Sequence, residues 1–155
     1  MEKKHIQIVT ENRKARHTYF IEDTFEAGMV LKGTEVKSLR MGRAHLKDSY
    51  AKIKEGEVFL YQMHISPYPF AYYSNHDPLR PRKLLLHKYE IKKLYGKVNE
   101  MGFSMVPLKA YFQNGKVKIT LALVRGKKKF DKRQTIKNRD EKMELARARR
   151  EYKTI

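Results

Sequence analysis

The clearest pattern along the chain lies near its end. Val106, Leu108, Ala110 and Phe112 recur at every second residue, Asn114-Gly115 follows, and Val117, Ile119, Leu121 and Leu123 alternate back. Successive strand side chains point to opposite faces, and Asn-Gly accepts the positive φ of a tight hairpin turn. The run predicts a β-hairpin. A second hairpin is predicted over residues 50–65, where Ala51 and Ile53 alternate, Glu55-Gly56 turns, and Val58 and Leu60 return beside Phe59 and Tyr61. Residues 17–21 and 25–31 read as two further strands, with Gly28 marking a bend or bulge in the second. Residues 1–12 read as a polar lead-in with one apolar patch, Ile6, Ile8 and Val9.

The period changes over residues 87–100. Ile91, Leu94, Tyr95 and Val98 fall at i, i+3, i+4 and i+7 with Gly102 beyond them, which predicts a helix and its stop. A short helix is predicted over 35–41, capped by Thr34 and ended by Gly42. Val36, Leu39 and Arg40 would face inward there, and Lys37, Ser38 and Arg43 outward. Residues 66–83 hold Pro67, Pro69, Pro78 and Pro81 among Tyr68, Phe70, Tyr72 and Tyr73, so most of that span is irregular. About six short strands and two helices, without regular β-α alternation, predict a mainly β chain that closes into a small antiparallel barrel.

From Val124 onward the alternation stops. Residues 125–155 carry 13 Lys/Arg against 5 Asp/Glu, a net +8 of the chain's total +18. The expected organisation is therefore a folded domain over 1–124 and a basic tail over 125–155. The tail has almost nothing to bury and is expected to be disordered alone, becoming helical against a polyanion. Its second half, residues 136–155, has helix-forming composition but only a thin apolar stripe. Such charge points to nucleic acid first and an anionic membrane second. No apolar run approaches the length of a membrane span, and the N-terminus lacks the apolar segment of a secretory signal. The absence of Cys removes disulfides, thiolate metal sites and thiol nucleophiles. A cytosolic location is expected.

Enzyme chemistry finds no foothold. The histidines at 5, 17, 45, 64, 76 and 87 show no metal-binding spacing. Gly126-Lys127-Lys128 lacks the remainder of a phosphate loop, and no nucleophile-elbow sequence occurs. Neither catalytic residues nor a metal or cofactor is expected. Asp48, Glu55, Glu57 and Asp77 read as solvated turn acids.

The positive signals are cationic. Asn12-Arg13-Lys14-Ala15-Arg16-His17 is either a solvated arm or a phosphate-binding one. Lys116 and Lys118, opposite Val117 and Ile119, are either the wet side of a sheet or a cationic rail on a barrel wall. Arg80, Arg82 and Lys83 precede Leu84-Leu85-Leu86, of which two leucines suit a core and at least one is left to stack against an unpaired base.

Taken together, these segments resemble the SsrA-binding protein family, also called small protein B. The resemblance runs from Asn12 to about Arg149. It rests on Asn12–Tyr19, on Glu26-Ala27-Gly28, on Gly33–Arg40, on Arg82–Leu86, and on Gly126-Lys127-Lys128 with Asp131-Lys132-Arg133. It implies a six-stranded barrel of the oligonucleotide-binding (OB) type with two or three flanking helices. It implies a monomeric, non-catalytic partner of transfer-messenger RNA that acts with elongation factor Tu on the aminoacylated RNA. The implied task is delivery of that RNA to stalled bacterial ribosomes in trans-translation. By position Glu26, Leu85 and Lys116 are implied to contact the tRNA-like domain, with Asn12 on the same surface. Lys127, Lys128, Phe130, Asp131, Lys132 and Arg133 are implied to enter the vacant mRNA channel and decoding centre. Where some members carry His or Tyr, this chain has Phe130, which keeps a stacking ring without a hydrogen-bonding group. A permanently bound ribosomal protein and a general RNA-binding module are the rival readings.

Overall fold

The computed structural model describes residues 5–127 and 139–149. The chain divides into two compact units, Met1–Arg125 and Gly126–Ile155. Among the described residues, the first unit runs β1 (Ile6–Glu11), α1 (Ala15–Thr18), β2 (Tyr19–Met29), α2 (Gly33–Arg40), β3 (Ala44–His45), β4 (Tyr50–Lys54), β5 (Glu57–Tyr61), β6 (His64–Ile65), β7 (Arg82–Leu85), α3 (Lys88–Met101), β8 (Ser104–Gln113) and β9 (Lys116–Gly126), the last strand reaching the boundary. In the second unit, residues 139–149 form a helix, α4.

The main sheet has the order β1-β8-β4-β5-β7-β2-β9, and β8 pairs again with β9. That second pairing closes a ring of six antiparallel strands, with β1 as an extra strand on β8. Closure removes the open edges that would otherwise recruit other strands. Ala27, Val58, Leu60, Leu84, Ile119, Leu121 and Leu123 fill the barrel. A smaller cluster of Ala15, Val106, Leu108, Ala122 and Val124, with Tyr19 and Ile21 against it, lies under α1.

The β8–β9 hairpin forms as its pattern predicts, with one break in register. Pro107 pairs with Leu121 and Lys109 with Thr120, so Leu108 is an extra residue on β8. This bulge moves the alternating set between faces. Val106 and Leu108 join the smaller cluster, whereas Ala110 and Phe112 enter the barrel.

Other elements differ from the sequence reading in instructive ways. The two strands expected over 17–31 are one strand, β2, preceded by the helical turn α1. Glu22, Asp23 and Thr24 hid its middle because they lie on a largely exposed stretch. The polar lead-in is a strand, β1, with its own bulge near Val9. Leu84 and Leu85 belong to β7, which an unalternating leucine run did not signal.

Helix α3 buries Leu94 and packs Ile91 and Val98 on the core, but Tyr95 is exposed. Gly102 ends it with φ +67°, where an L side chain is disfavoured. Helix α2 begins at Gly33. Its first free amide, that of Lys32, donates to the Glu35 carboxylate, while the Thr34 hydroxyl instead meets His76 Nδ1 at 2.9 Å. Its buried side is Glu35, Ser38 and Leu39, so Arg40 faces out and Ser38 in, opposite to expectation. The cause is Glu35, whose charge is satisfied inside.

Candidate nucleic-acid interface

Strand pairing sets a row of outward side chains across neighbouring strands. Gly28 on β2 stands opposite Leu85 on β7. Leu84 is buried, Leu86 is partly buried against the core, and Leu85 is 52% exposed. One leucine of the triplet is therefore outside, as expected. A Cβ at Gly28 would make ordinary van der Waals contact with Leu85, 3.4 Å from its Cβ and 3.5 Å from Cδ1. Gly28 and Met29 pair with Leu85 and Leu84 in unbroken register, so no bulge separates β2 from β7 at Gly28.

Two residues before Gly28, on the same face, Glu26 meets Lys118 of β9 at 3.8 Å. Both side chains are partly exposed, so each remains available to a ligand. Beside them Tyr111 is buried. Burial first, and the Glu26 carboxylate second, push its phenol above the usual tyrosine range. A neutral phenol thus lies against a half-exposed carboxylate and an ammonium, giving donors and acceptors of both signs beside an exposed apolar side chain. Lys116 is exposed one alternation before Lys118. The structure brings Glu26, Leu85 and Lys118 onto one wall. Glu26 had no signal in composition or periodicity, and Tyr111 read only as part of a strand.

The Asn12 segment is a packed turn rather than a solvated arm. The Asn12 amide donates to Leu108 O at 2.7 Å, and its side-chain Nδ2 donates to Pro107 O at 3.2 Å. Asn12 therefore binds the two carbonyls at the β8 bulge. Ala15 is buried beneath α1, while Arg13, Lys14 and Arg16 are exposed. A cleft of about 430 Å³ is lined by Asn12, Arg13, Arg16, Thr24, Lys109 and Thr120, together with Glu11 and Leu108. Thr24 and Thr120 are strand neighbours of Glu26 and Lys118, so cleft and wall adjoin.

Arg80, Arg82 and Lys83 are not free cations. Arg82 is fully buried, pairing with Glu35 and donating to Met63 O and to Pro78 O. Arg80 pairs with the other Glu35 oxygen. Burial alone would push the Glu35 carboxyl up, but Arg80, the Lys32 amide and Arg82 together hold it below the usual carboxylate range. Lys83 pairs with Glu57 at 2.9 Å, so Glu57 is not merely solvated. The signal that could have found this cluster is Glu35 itself, an acid on the inner side of a short amphipathic helix.

Of the tail residues, Lys127 is described, whereas Lys128, Phe130, Asp131, Lys132 and Arg133 lie outside the described residues. Helix α4 is exposed along its length, Met143 and Leu145 included. Among the described residues no group of three or more His, Asp or Glu side chains is placed to hold a metal, and no helix is long and apolar enough to cross a membrane.

The SmpB protein family matches residues 9–151. An SsrA-binding protein of Symbiobacterium thermophilum is 61% identical over 96% of this chain and 94% of its own. One of Moorella thermoacetica is 56% identical over 97% of both chains. A chain from a solved structure described as "tmRNA-SmpB: a journey to the center of the bacterial ribosome" superposes with a TM-score of 0.65 at 48% identity, covering 81% of this chain and 92% of that one. The family match over residues 9–151 and relatives at 56–61% identity over nearly the whole chain place it in the SmpB family.

Proposed function

We propose that this protein binds transfer-messenger RNA at its tRNA-like domain and delivers it to stalled bacterial ribosomes for trans-translation. The observation that carries the reading is the outer wall of β7, β2 and β9. There Leu85, Glu26 and Lys118 stand side by side, beside a cleft lined by Arg13, Arg16 and Lys109. Cations of the cleft meet phosphates, the Glu26 carboxylate accepts from a base or ribose hydroxyl, and Leu85 packs against an unstacked base. The relatives named SsrA-binding protein support the same assignment.

Within it the first unit binds RNA, with Asn12, Arg13, Lys14, Glu26, Leu85, Lys116 and Lys118 as its contact surface. Asn12 serves that surface by holding the β8 bulge. The second unit probes the ribosome. Lys127, Lys128, Phe130, Asp131, Lys132 and Arg133 enter the vacant mRNA channel, and the tail orders fully only there. The protein acts as a monomer in the cytoplasm, alongside elongation factor Tu on the aminoacylated RNA, and catalyses no reaction itself.

Separation of function tests the division. Replacing Glu26 and Lys116 by alanine should weaken RNA binding. Replacing Asp131, Lys132 and Arg133 should leave RNA binding intact and abolish peptide tagging on stalled ribosomes. A tail variant that loses most of its RNA affinity would overturn the two-part scheme.

A further inference from the structure

The loop between β6 and β7 carries three rings that no core uses. Phe70 is 73% exposed, Tyr72 89% and Tyr73 93%. Exposed aromatic side chains gathered this closely mark a binding surface rather than ordinary surface scatter.

The loop is tied at several points. Asn75 clamps its neck, accepting from the Tyr68 amide at 3.1 Å and donating to Tyr68 O at 2.8 Å. The buried His76 beside it bonds Ile65 O through Nε2 and meets Thr34 through Nδ1. Ser66 donates to Arg43 O and Ile65 to Pro78 O. Pro67 and Pro69 restrict the backbone further. Much of the ordering cost of presenting the rings is therefore met before any ligand arrives.

The chemistry of the loop selects its occupant. The ring-bearing part, residues 66–76, contains no Asp or Glu to repel a phosphate and no Val, Leu, Ile or Met to suit an aliphatic partner; the loop's one acid, Asp77, and its Leu79 follow the buried His76. The rings already meet edge to face, Tyr72 with Tyr73 at 4.8 Å and Tyr68 with Phe70 at 5.6 Å. Lys37 stands 5.3 Å from the Tyr68 ring centre, so a cation flanks the aromatic surface. Flat rings beside a cation, on a chain of net charge +18, complement a base and its phosphate.

We infer that this loop is a second RNA contact, where Phe70, Tyr72 and Tyr73 stack on unpaired bases. The inference rests on the reading of this chain as an RNA-binding protein and adds a site that reading did not contain. The bases belong either to transfer-messenger RNA or to ribosomal RNA.

The test compares full-length wild type with the Phe70→Ala, Tyr72→Ala, Tyr73→Ala triple variant on three probes: single-stranded oligoadenylate, transfer-messenger RNA and vacant ribosomes. Stacking is sequence-tolerant, so the triple variant should lose about tenfold or more in affinity for oligoadenylate. A Tyr72→Phe, Tyr73→Phe variant should bind like wild type, since it keeps the rings. The arm with transfer-messenger RNA or the arm with ribosomes should weaken in parallel, identifying the source of the bases. Unchanged affinity of the triple variant for all three probes would overturn the inference and would fit a protein partner instead. Should the triple variant melt early, Tyr73→Ala alone carries the same comparison. A wild type without preference for transfer-messenger RNA over oligoadenylate would count against the proposed function, while the loop would still be judged on the variant.

Discussion

Glu35 shows how a single residue sets the barrel's internal order. Its carboxylate is buried between Arg80 and Arg82 and also caps α2 through the Lys32 amide. Removing one partner of a buried pair strands the other, so Glu35→Ala should cost about 3–5 kcal/mol, read from urea melts. Because the folded-state pKa lies below the ordinary glutamate value, the unfolded chain binds this proton more readily. The contribution is therefore complete above that value and is lost as pH falls through the folded-state value. Urea melts from neutral pH down into the acid range should show stability falling there, and Glu35→Gln should flatten that part of the curve. His64 titrates with the same consequence at higher pH. Burial first, and then the charges of His45, Arg82 and His76, hold its imidazole below 6.5, so its contribution erodes as pH drops through that value. Arg82 was legible as a basic residue near the leucine triplet, but its role was not. A charge beside an apolar run looks the same in sequence whether it faces solvent or a buried carboxylate.

Among the elements, the β8–β9 hairpin and α3 were legible because their period persists over many residues and their ends carry Asn114-Gly115 and Gly102. Gly102→Ala should lower stability by about 1 kcal/mol, because its φ of +67° suits only glycine without strain. The β8 bulge was invisible. Val106, Leu108, Ala110 and Phe112 are evenly spaced, so only the pairing partners reveal that they serve two faces. Asn12 is the side chain that binds this irregularity. Asn12→Ala should cost about 1 kcal/mol by thermal or urea melting and should also weaken RNA binding, because the turn bearing Arg13 and Lys14 loses its anchor. Arg13→Ala should leave stability unchanged, weaken RNA binding about equally for all sequences, and reduce the salt dependence of binding by about one unit of slope. The short strands β3 and β7 were missed because two to four residues hold too little pattern to register a period, and His64 and Ile65, read as the end of the second hairpin, pair instead with β3 as β6.

For the whole molecule, charge had already indicated a polyanionic partner, and closure of the barrel supplies the wall on which one can be read. Glu26 is the instructive case, since an acid on a cationic protein gave no local signal. Its position beside Leu85 and Lys118 becomes evident only when β2 is set between β7 and β9. If the surface neutralises about six phosphates, affinity should fall by roughly three decades between 50 and 200 mM salt, measurable by filter binding. The tail adds net +8 to the same molecule. Hydrogen exchange on the free protein should find its amides, those of 139–149 included, exchanging fast, with protection arising on vacant ribosomes. Slow exchange there in the free protein would contradict folding on arrival. The most direct measurement of the central claim is capture of the full-length protein from bacterial cells, with sequencing of the RNA it holds. The account predicts one dominant small RNA, transfer-messenger RNA, depleted when Glu26 and Lys116 are replaced. An even sampling of cellular RNAs, or stoichiometric recovery with all ribosomes, would contradict it.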